Sequence, residues 1–220
     1  MSVAVRLQTL KKTWQISLEN AGFKLKLMVG AVVLVLIFLI LPDFFQYIES
    51  RKGTVLNDWV LAAIPAKDVS IPIMILIWGM IGLFTLRVMT KPQLFLKFLI
   101  AYVLITFTRC LTIYLVPLAP PKDFIDLTDP LTGVFYGGQS ISKDLFYSGH
   151  TSLLFLIYLC IEKKVDKYLA GFSTLAVGIL LLVQHVHYTT DVVFAPLFST
   201  IAFNLASKWA VCRKETATQQ

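Results

Sequence analysis

The 220 residues contain three histidines, and all of them fall in two short segments. Ser148-Gly149-His150-Thr151 precedes one apolar run, and His185-Val186-His187-Tyr188-Thr189-Thr190-Asp191 lies where two others meet. His187 and Asp191 are four residues apart, a spacing that sets both side chains on one face of a helix. A carboxylate on one imidazole nitrogen fixes the tautomer and leaves the other as a directed lone pair, which a nucleophilic or general-base histidine requires. His187 is thus the candidate nucleophile and Asp191 its orienting partner. His150 opens a helix behind Gly149, which lets backbone approach a ligand closely, and Ser148, which offers a hydroxyl. A helix start presents free N–H groups and the positive end of its dipole to phosphate oxygens, so His150 is the candidate general acid of a phosphoryl transfer.

Each motif alone has a plainer explanation. A serine at a helix start is often only a cap, and a His/Asp pair four residues apart is often only an ion pair. Their joint presence at one predicted face, in a chain with no other histidine, favours a functional site. Arg109 sits in an otherwise apolar run, where an unpaired cation is costly and needs an anion or a polar cavity. The eight residues from Arg109 to Pro117 put it roughly 12 Å below the end of its span, within reach of a recessed site. Arg109, Lys143, Asp144, Ser148, Gly149, Tyr188 and His185 form the expected substrate-contacting set. Within it His185 is expected beside the chemistry, Asp144 reads equally as a loop charge or a headgroup contact, and Tyr188, like Tyr114, also suits an interfacial aromatic belt. Three imidazoles and a carboxylate make a conceivable zinc set. The single residue between His185 and His187 and the nearby Arg109 argue against it, so neither metal nor cofactor is expected.

The elements that must position these residues are read from composition. The chain is 57% hydrophobic and 15% charged, with a mean hydropathy of +0.74, values of a polytopic membrane protein. Apolar runs at 27–45, 70–89, 94–117, 148–162, 168–187 and 190–211 predict six spans, the fourth the shortest. Ahead of them, Leu7, Leu10, Trp14, Ile16 and Leu18 alternate with Arg6, Lys11 and Lys12, as in a helix lying on a membrane surface. Basic residues cluster at one set of span ends, from Arg6 to Lys26, Arg87 to Lys97, Lys163 to Lys167, and Lys208 to Lys214. Only Arg51, Lys52, Lys67, Lys122 and Lys143 lie at the other set. Cationic loops stay in the cytoplasm, so both termini are expected there and both histidine motifs on the extracytoplasmic face. The net charge of +7 is dispersed over span ends, without the basic patch of a nucleic-acid binder. Cys110, Cys160 and Cys212 lie in or beside apolar runs and suit small buried hydrophobes. Pro117-Leu118-Ala119-Pro120-Pro121 ends the third span and begins a long loop, ending in Gly137-Gly138, that suits a lid. The expected fold is an all-α, six-helix transmembrane bundle. Residues 1–25 form a cytoplasmic amphipathic segment, 26–212 the catalytic domain and 213–220 a polar tail.

Three segments resemble the phosphatidic acid phosphatase type 2 (PAP2) membrane superfamily, and within it the sphingomyelin synthase branch. Arg109-Cys110-Leu111-Thr112-Ile113-Tyr114 with Pro117 and Pro120 is similar to that branch's Arg-Cys-x-Thr-x-Tyr segment. Asp144-Leu145-Phe146-Tyr147-Ser148-Gly149-His150-Thr151 resembles its Gly-Asp-x-x-Phe-Ser-Gly-His-Thr segment, and His185 to Val192 its His-Glu-His-Tyr-x-x-Asp-Val segment. The resemblance implies a His150, His187 and Asp191 triad, no metal, and a phosphohistidine intermediate. It also implies transfer of a phosphorylated headgroup from a membrane phospholipid donor to a lipid alcohol such as ceramide or diacylglycerol. The chain departs from the pattern at Lys143, where the branch has Gly, and at Val186, where it has Glu. The Arg-Pro segment of the phosphatase members is missing, and Leu180 and Leu181 occupy the region of their second arginine. A less cationic pocket suits a phosphodiester, with one negative charge, better than a phosphomonoester. A lipid phosphatase or phospholipase C-like hydrolase is the alternative, and a non-catalytic lipid-binding or transport protein a further one. The sequence leaves oligomeric state open, self-association included.

Overall fold

The computed structural model describes residues 3–127 and 141–211, with side chains from residue 8 onward. Gly137, Gly138 and the second half of the expected lid, Cys212 and the 213–220 tail, and the side chains of Arg6 and Leu7 lie outside the described residues. Among those described, eight helices account for nearly all regular structure: α1 (Val3–Glu19), α2 (Ala21–Ser50), α3 (Trp59–Ala63), α4 (Ser70–Val88), α5 (Pro92–Leu115), α6 (Gly149–Cys160), α7 (Lys164–Val183) and α8 (Thr189–Ala210). A single parallel bridge pairs Thr54 with Leu118.

Five of these helices, α2, α4, α5, α7 and α8, are long and apolar enough to cross a membrane, so the chain is an all-helical polytopic membrane protein. The fourth expected span, α6, is not among these five. α6 has 12 residues, about 18 Å of helix against a hydrocarbon core of roughly 30 Å. The missing length is taken up by the non-helical segment 141–148, which descends along α5. Thr112 Oγ1 donates to Phe146 O (2.7 Å) and Arg109 Nε to Tyr147 O (3.1 Å). One turn deeper, the Tyr147 hydroxyl meets Thr108 Oγ1 (2.8 Å) and Ile105 O (3.2 Å). Irregular backbone survives at such depth only when protein surrounds it and its polar groups are paired. Leu145, Tyr147 and Ser148 are accordingly buried.

Hydrogen bonds and ion pairs define the two ends of the bundle. At one, Arg87 pairs with Asp166 (2.6 Å), Lys91 with Glu162, and Lys26 Nζ donates to Val211 O (3.0 Å), which brings the starts of α2 and α7 and the ends of α4, α6 and α8 together. At the other, Arg51 donates to Tyr114 O (2.8 Å) and Leu56 N–H to the Tyr188 hydroxyl (3.1 Å). Both histidine motifs occupy this second end.

α1 stops at Glu19. Asn20 caps α2 by accepting from Phe23 N–H (2.8 Å), so the first span starts at Ala21 rather than at the expected residue 26. Trp14 docks α1 on the α4–α5 turn, its indole donating to Met89 O (2.7 Å) and its ring meeting Phe23 and Phe95 edge-on. α6 lies in the centre, with Leu154, Leu156 and Ile157 in the main core beside Val177 and Leu181 of α7. α8 turns Ala195, Ser199, Ala202 and Ala206 inward. Such a small-residue seam lets neighbouring helices approach closely where lipid supplies no hydrophobic drive between them.

Candidate active site

The two histidine motifs are joined by a main-chain bond: Ser148 N–H donates to Asp191 O (3.0 Å). This bond sets the start of α6 against the start of α8. Ser148 caps α6, its hydroxyl accepting from Thr151 N–H (3.3 Å) and Thr151 Oγ1 (3.1 Å). Asp191 closes a reciprocal cap at α8, where its Oδ2 accepts from Tyr188 N–H (3.2 Å). The same oxygen lies 3.3 Å from His187 Nδ1. Asp191 is fully buried and His187 nearly so, so the carboxylate is held from two sides and directs Nε2 of His187 away from itself.

His150 and His187 line one cavity of about 60 Å³ together with Phe124, Asp126, Leu127, Ile141, Ser142, Asp144 and Val186. The space is of the order of a single small polar group. Arg109 reaches its edge from α5, where its guanidinium pairs with Asp144. A Cβ at residue 149 would stand 2.6 Å from the guanidinium carbon. The glycine of the Ser-Gly-His motif therefore makes room for Arg109, whereas its expected role was to admit a ligand.

Two further expectations change. Lys143 does not point into the cavity: its ammonium donates to Glu49 O and to Arg51 O (2.7 Å), the open carbonyls at the end of α2. A helix C-terminus attracts a cation for this reason. Glu49 in turn accepts from Ser142 N–H and Lys143 N–H, both at 2.7 Å, and fixes the backbone of the lysine against the end of α2. Tyr188 is no belt residue. It is 1% exposed, and its hydroxyl donates to Ala119 O (2.9 Å) and accepts from Leu56 N–H. Burial pushes its phenol pKa up. Tyr114, by contrast, is half-exposed and stacks on Tyr47.

His185 is buried away from the cavity, between Lys122 O and Ile64 O. Several residues that position the site carried little sequence signal. Gln184, fully buried, accepts from Val69 N–H (3.0 Å) and donates to Ser70 Oγ (2.8 Å) and Asp126 O (3.1 Å). Its position as the first polar residue after an apolar run was the one hint. Asp58 accepts from Thr189 N–H (2.6 Å) and Thr189 Oγ1 (3.0 Å), tying α3 to the start of α8. Burial works to raise the Asp58 pKa, but the hydrogen bonds from Thr189, Leu61 and Val60 outweigh it and hold the carboxyl below its ordinary value. Among the described residues, no group of three His, Cys, Asp or Glu side chains is close enough to hold a metal ion.

Comparison with known families bears on this same region, because residues 143–208 match the model of the PAP2 superfamily C-terminal domain. This is the sphingomyelin synthase-like C-terminal family of that superfamily. No curated protein and no solved structure matches the chain. The matched segment holds α6, α7 and all but the end of α8, and within it His150, His187 and Asp191. Arg109 and the cavity walls at 124–127 and 141–142 come from the part of the chain before it.

Proposed function

We propose that the protein is an integral-membrane phospholipid headgroup transferase. It moves a phosphorylated headgroup from a glycerophospholipid to a lipid alcohol such as ceramide or diacylglycerol. The observation that carries this reading is the shared cavity, where a histidine backed by a buried carboxylate faces a second histidine at a helix start. His187 Nε2 attacks phosphorus and forms an N–P bond as the bond to the diacylglycerol oxygen breaks, and His150 gives that oxygen its proton. Asp191 offsets the charge on the phosphohistidine. In the second half the acceptor hydroxyl attacks phosphorus, its proton passes to His150, and the N–P bond breaks to restore His187.

The cations near the cavity support a singly charged phosphodiester. Arg109 is already paired with Asp144, and Lys143 is spent on the end of α2. The basic span ends support a cytoplasmic location for both termini and an extracytoplasmic site, and Lys26 beside Val211 agrees with both termini sharing one side.

Purified protein given donor phospholipid with a labelled headgroup and a lipid alcohol is expected to build a new labelled lipid. His187→Ala should abolish that product. Hydrolysis is the competing outcome, since Asp126, Ser142 and Asp144 give the cavity a polar wall that water can enter. Label released as free phosphorylated headgroup with acceptor present would replace transfer by a phospholipase C-like reaction. Binding without turnover would leave a lipid-binding protein.

A further inference from the structure

We propose that His185 is a doubly protonated staple: its imidazolium holds the loop after α3 and the loop that walls the site against the α7–α8 turn, and both loosen when the ring loses a proton. The ring is 4% exposed. Its Nδ1 lies 2.8 Å from Lys122 O and its Nε2 3.0 Å from Ile64 O. Main-chain carbonyl oxygens only accept hydrogen bonds, and a neutral imidazole has one N–H and one lone pair. In either neutral tautomer one nitrogen would aim its lone pair at a carbonyl oxygen. Only the imidazolium satisfies both partners.

The two carbonyls belong to separate loops, one following α3 and one following α5. Bonds on either side of His185 fasten the same loops. Lys67 N–H donates to Val183 O (3.0 Å), and Ile125 N–H to Gln184 O (3.3 Å). Residues 122–126 are thus pinned at one end by His185 and at the other by Gln184, and Phe124, Asp126 and Leu127 form a wall of the cavity that holds His187. His187 follows His185 by two residues. The charge on one ring therefore bears on the geometry of the other through loop and turn together.

The surroundings suit a cation. On its other side His185 borders an open pocket of about 740 Å³, which also presents Asp58 from the loop before α3, Lys122 and Asp123 from the loop after α5, and Tyr188 from the start of α8. Ile64, Pro65 and Ala66 contribute no ionisable group and Lys67 follows them; on the cavity side stand Asp126, Asp144, His150 and His187, with Asp191 behind His187. Two carboxylates thus stand against the single ammonium of Lys122 in that pocket. His185 is a positioning residue in this account, acting through the loops, and its protonation is read without any substrate or any assumption about the reaction.

The test uses the full chain in lipid nanodiscs with its three histidines ¹⁵N-labelled, the His185 signals assigned by their loss in His185→Gln. Both ring nitrogens should carry protons wherever the two loops are held. As pH rises and one proton leaves, amide exchange at 64–67 and 122–126, corrected for its intrinsic pH dependence, should rise about tenfold or more. His185→Arg, which keeps a cation with several donors, should exchange slowly across the whole range, and His185→Gln rapidly. A ring found with one bare nitrogen while both loops stay protected would overturn the proposal. So would corrected exchange that ignores the ring's titration. Should His185→Gln fail to fold, selective labelling through His185→Arg supplies the assignment and the wild-type titration alone decides.

Discussion

α2 and α6 are opposites. α2 has 30 residues and the highest hydropathy in the chain, yet only 6% of its most apolar window is buried. α6 has 12 residues, too few to cross, and six of them are buried. The first meets lipid along its length, and the second meets protein. A helix solvated by lipid can be long, straight and uniformly apolar. A short helix can start below the ends of its neighbours, and the proposed function puts His150 at such a start. The comparison teaches that the strongest membrane signal marks scaffold, while the shortest apolar helix carries the proposed chemistry.

Four substitutions and one titration sharpen the contrast, beginning with the largest effect. On the α6 side, His150→Ala should lower headgroup transfer by about 10²–10⁴-fold with little change in melting temperature, as removal of a general acid does. Lipid product analysis beside a thermal scan checks both halves. Gly149→Ala should cost about 1–3 kcal/mol of stability and most activity, because the new methyl meets the Arg109 guanidinium. Denaturant or thermal unfolding in detergent reads the first and the transfer assay the second. Retained stability and activity in that variant would mean that Arg109 moves aside freely.

Glu49→Gln tests a place where α2 holds a segment that lines the site. Losing the charged acceptor for Ser142 N–H and Lys143 N–H should cost about 1–2 kcal/mol. It should also speed proteolysis or amide exchange at 141–144. Asp58→Asn addresses the α3 strap by pH. Because the folded carboxyl titrates below its ordinary value, the charge stabilises the fold above the unfolded pKa of about 3.9, and that stabilisation is lost as pH falls through the folded value. The difference in melting temperature between wild type and Asp58→Asn should therefore be present near neutrality and shrink on acidification. Leu39→Ala, on the lipid face of α2 at 69% exposure, should change stability by no more than about 0.5 kcal/mol and leave transfer untouched. An effect there as large as that of Gly149→Ala would erase the distinction between the two helices.

What the sequence disclosed follows the same division. Hydropathy located α4, α5, α6, α7 and α8 to within four residues and fell short of α2 by six residues at its start and five at its end. It did not separate α6 from the spanning helices, since a buried helix and a spanning helix are equally apolar over a dozen residues. The His187–Asp191 pair was legible because both members lie within one turn of chain. The Ser148–Asp191 bond, the Gly149–Arg109 contact and the diversion of Lys143 onto α2 are long-range, and no local pattern encodes them. Gln184, Glu49 and Asp58 went unnoticed for the same reason: each is an ordinary polar residue until its distant partners arrive.

The central claim is that His187 carries the headgroup while His150 moves its proton. Rapid quenching of the protein with donor phospholipid and no acceptor, followed by peptide mass spectrometry under conditions that spare N–P bonds, tests it directly. The account predicts the headgroup phosphate on the peptide containing His187, and its disappearance when a lipid alcohol is added. Undiminished transfer by His187→Ala, or an adduct on any other residue, would contradict it.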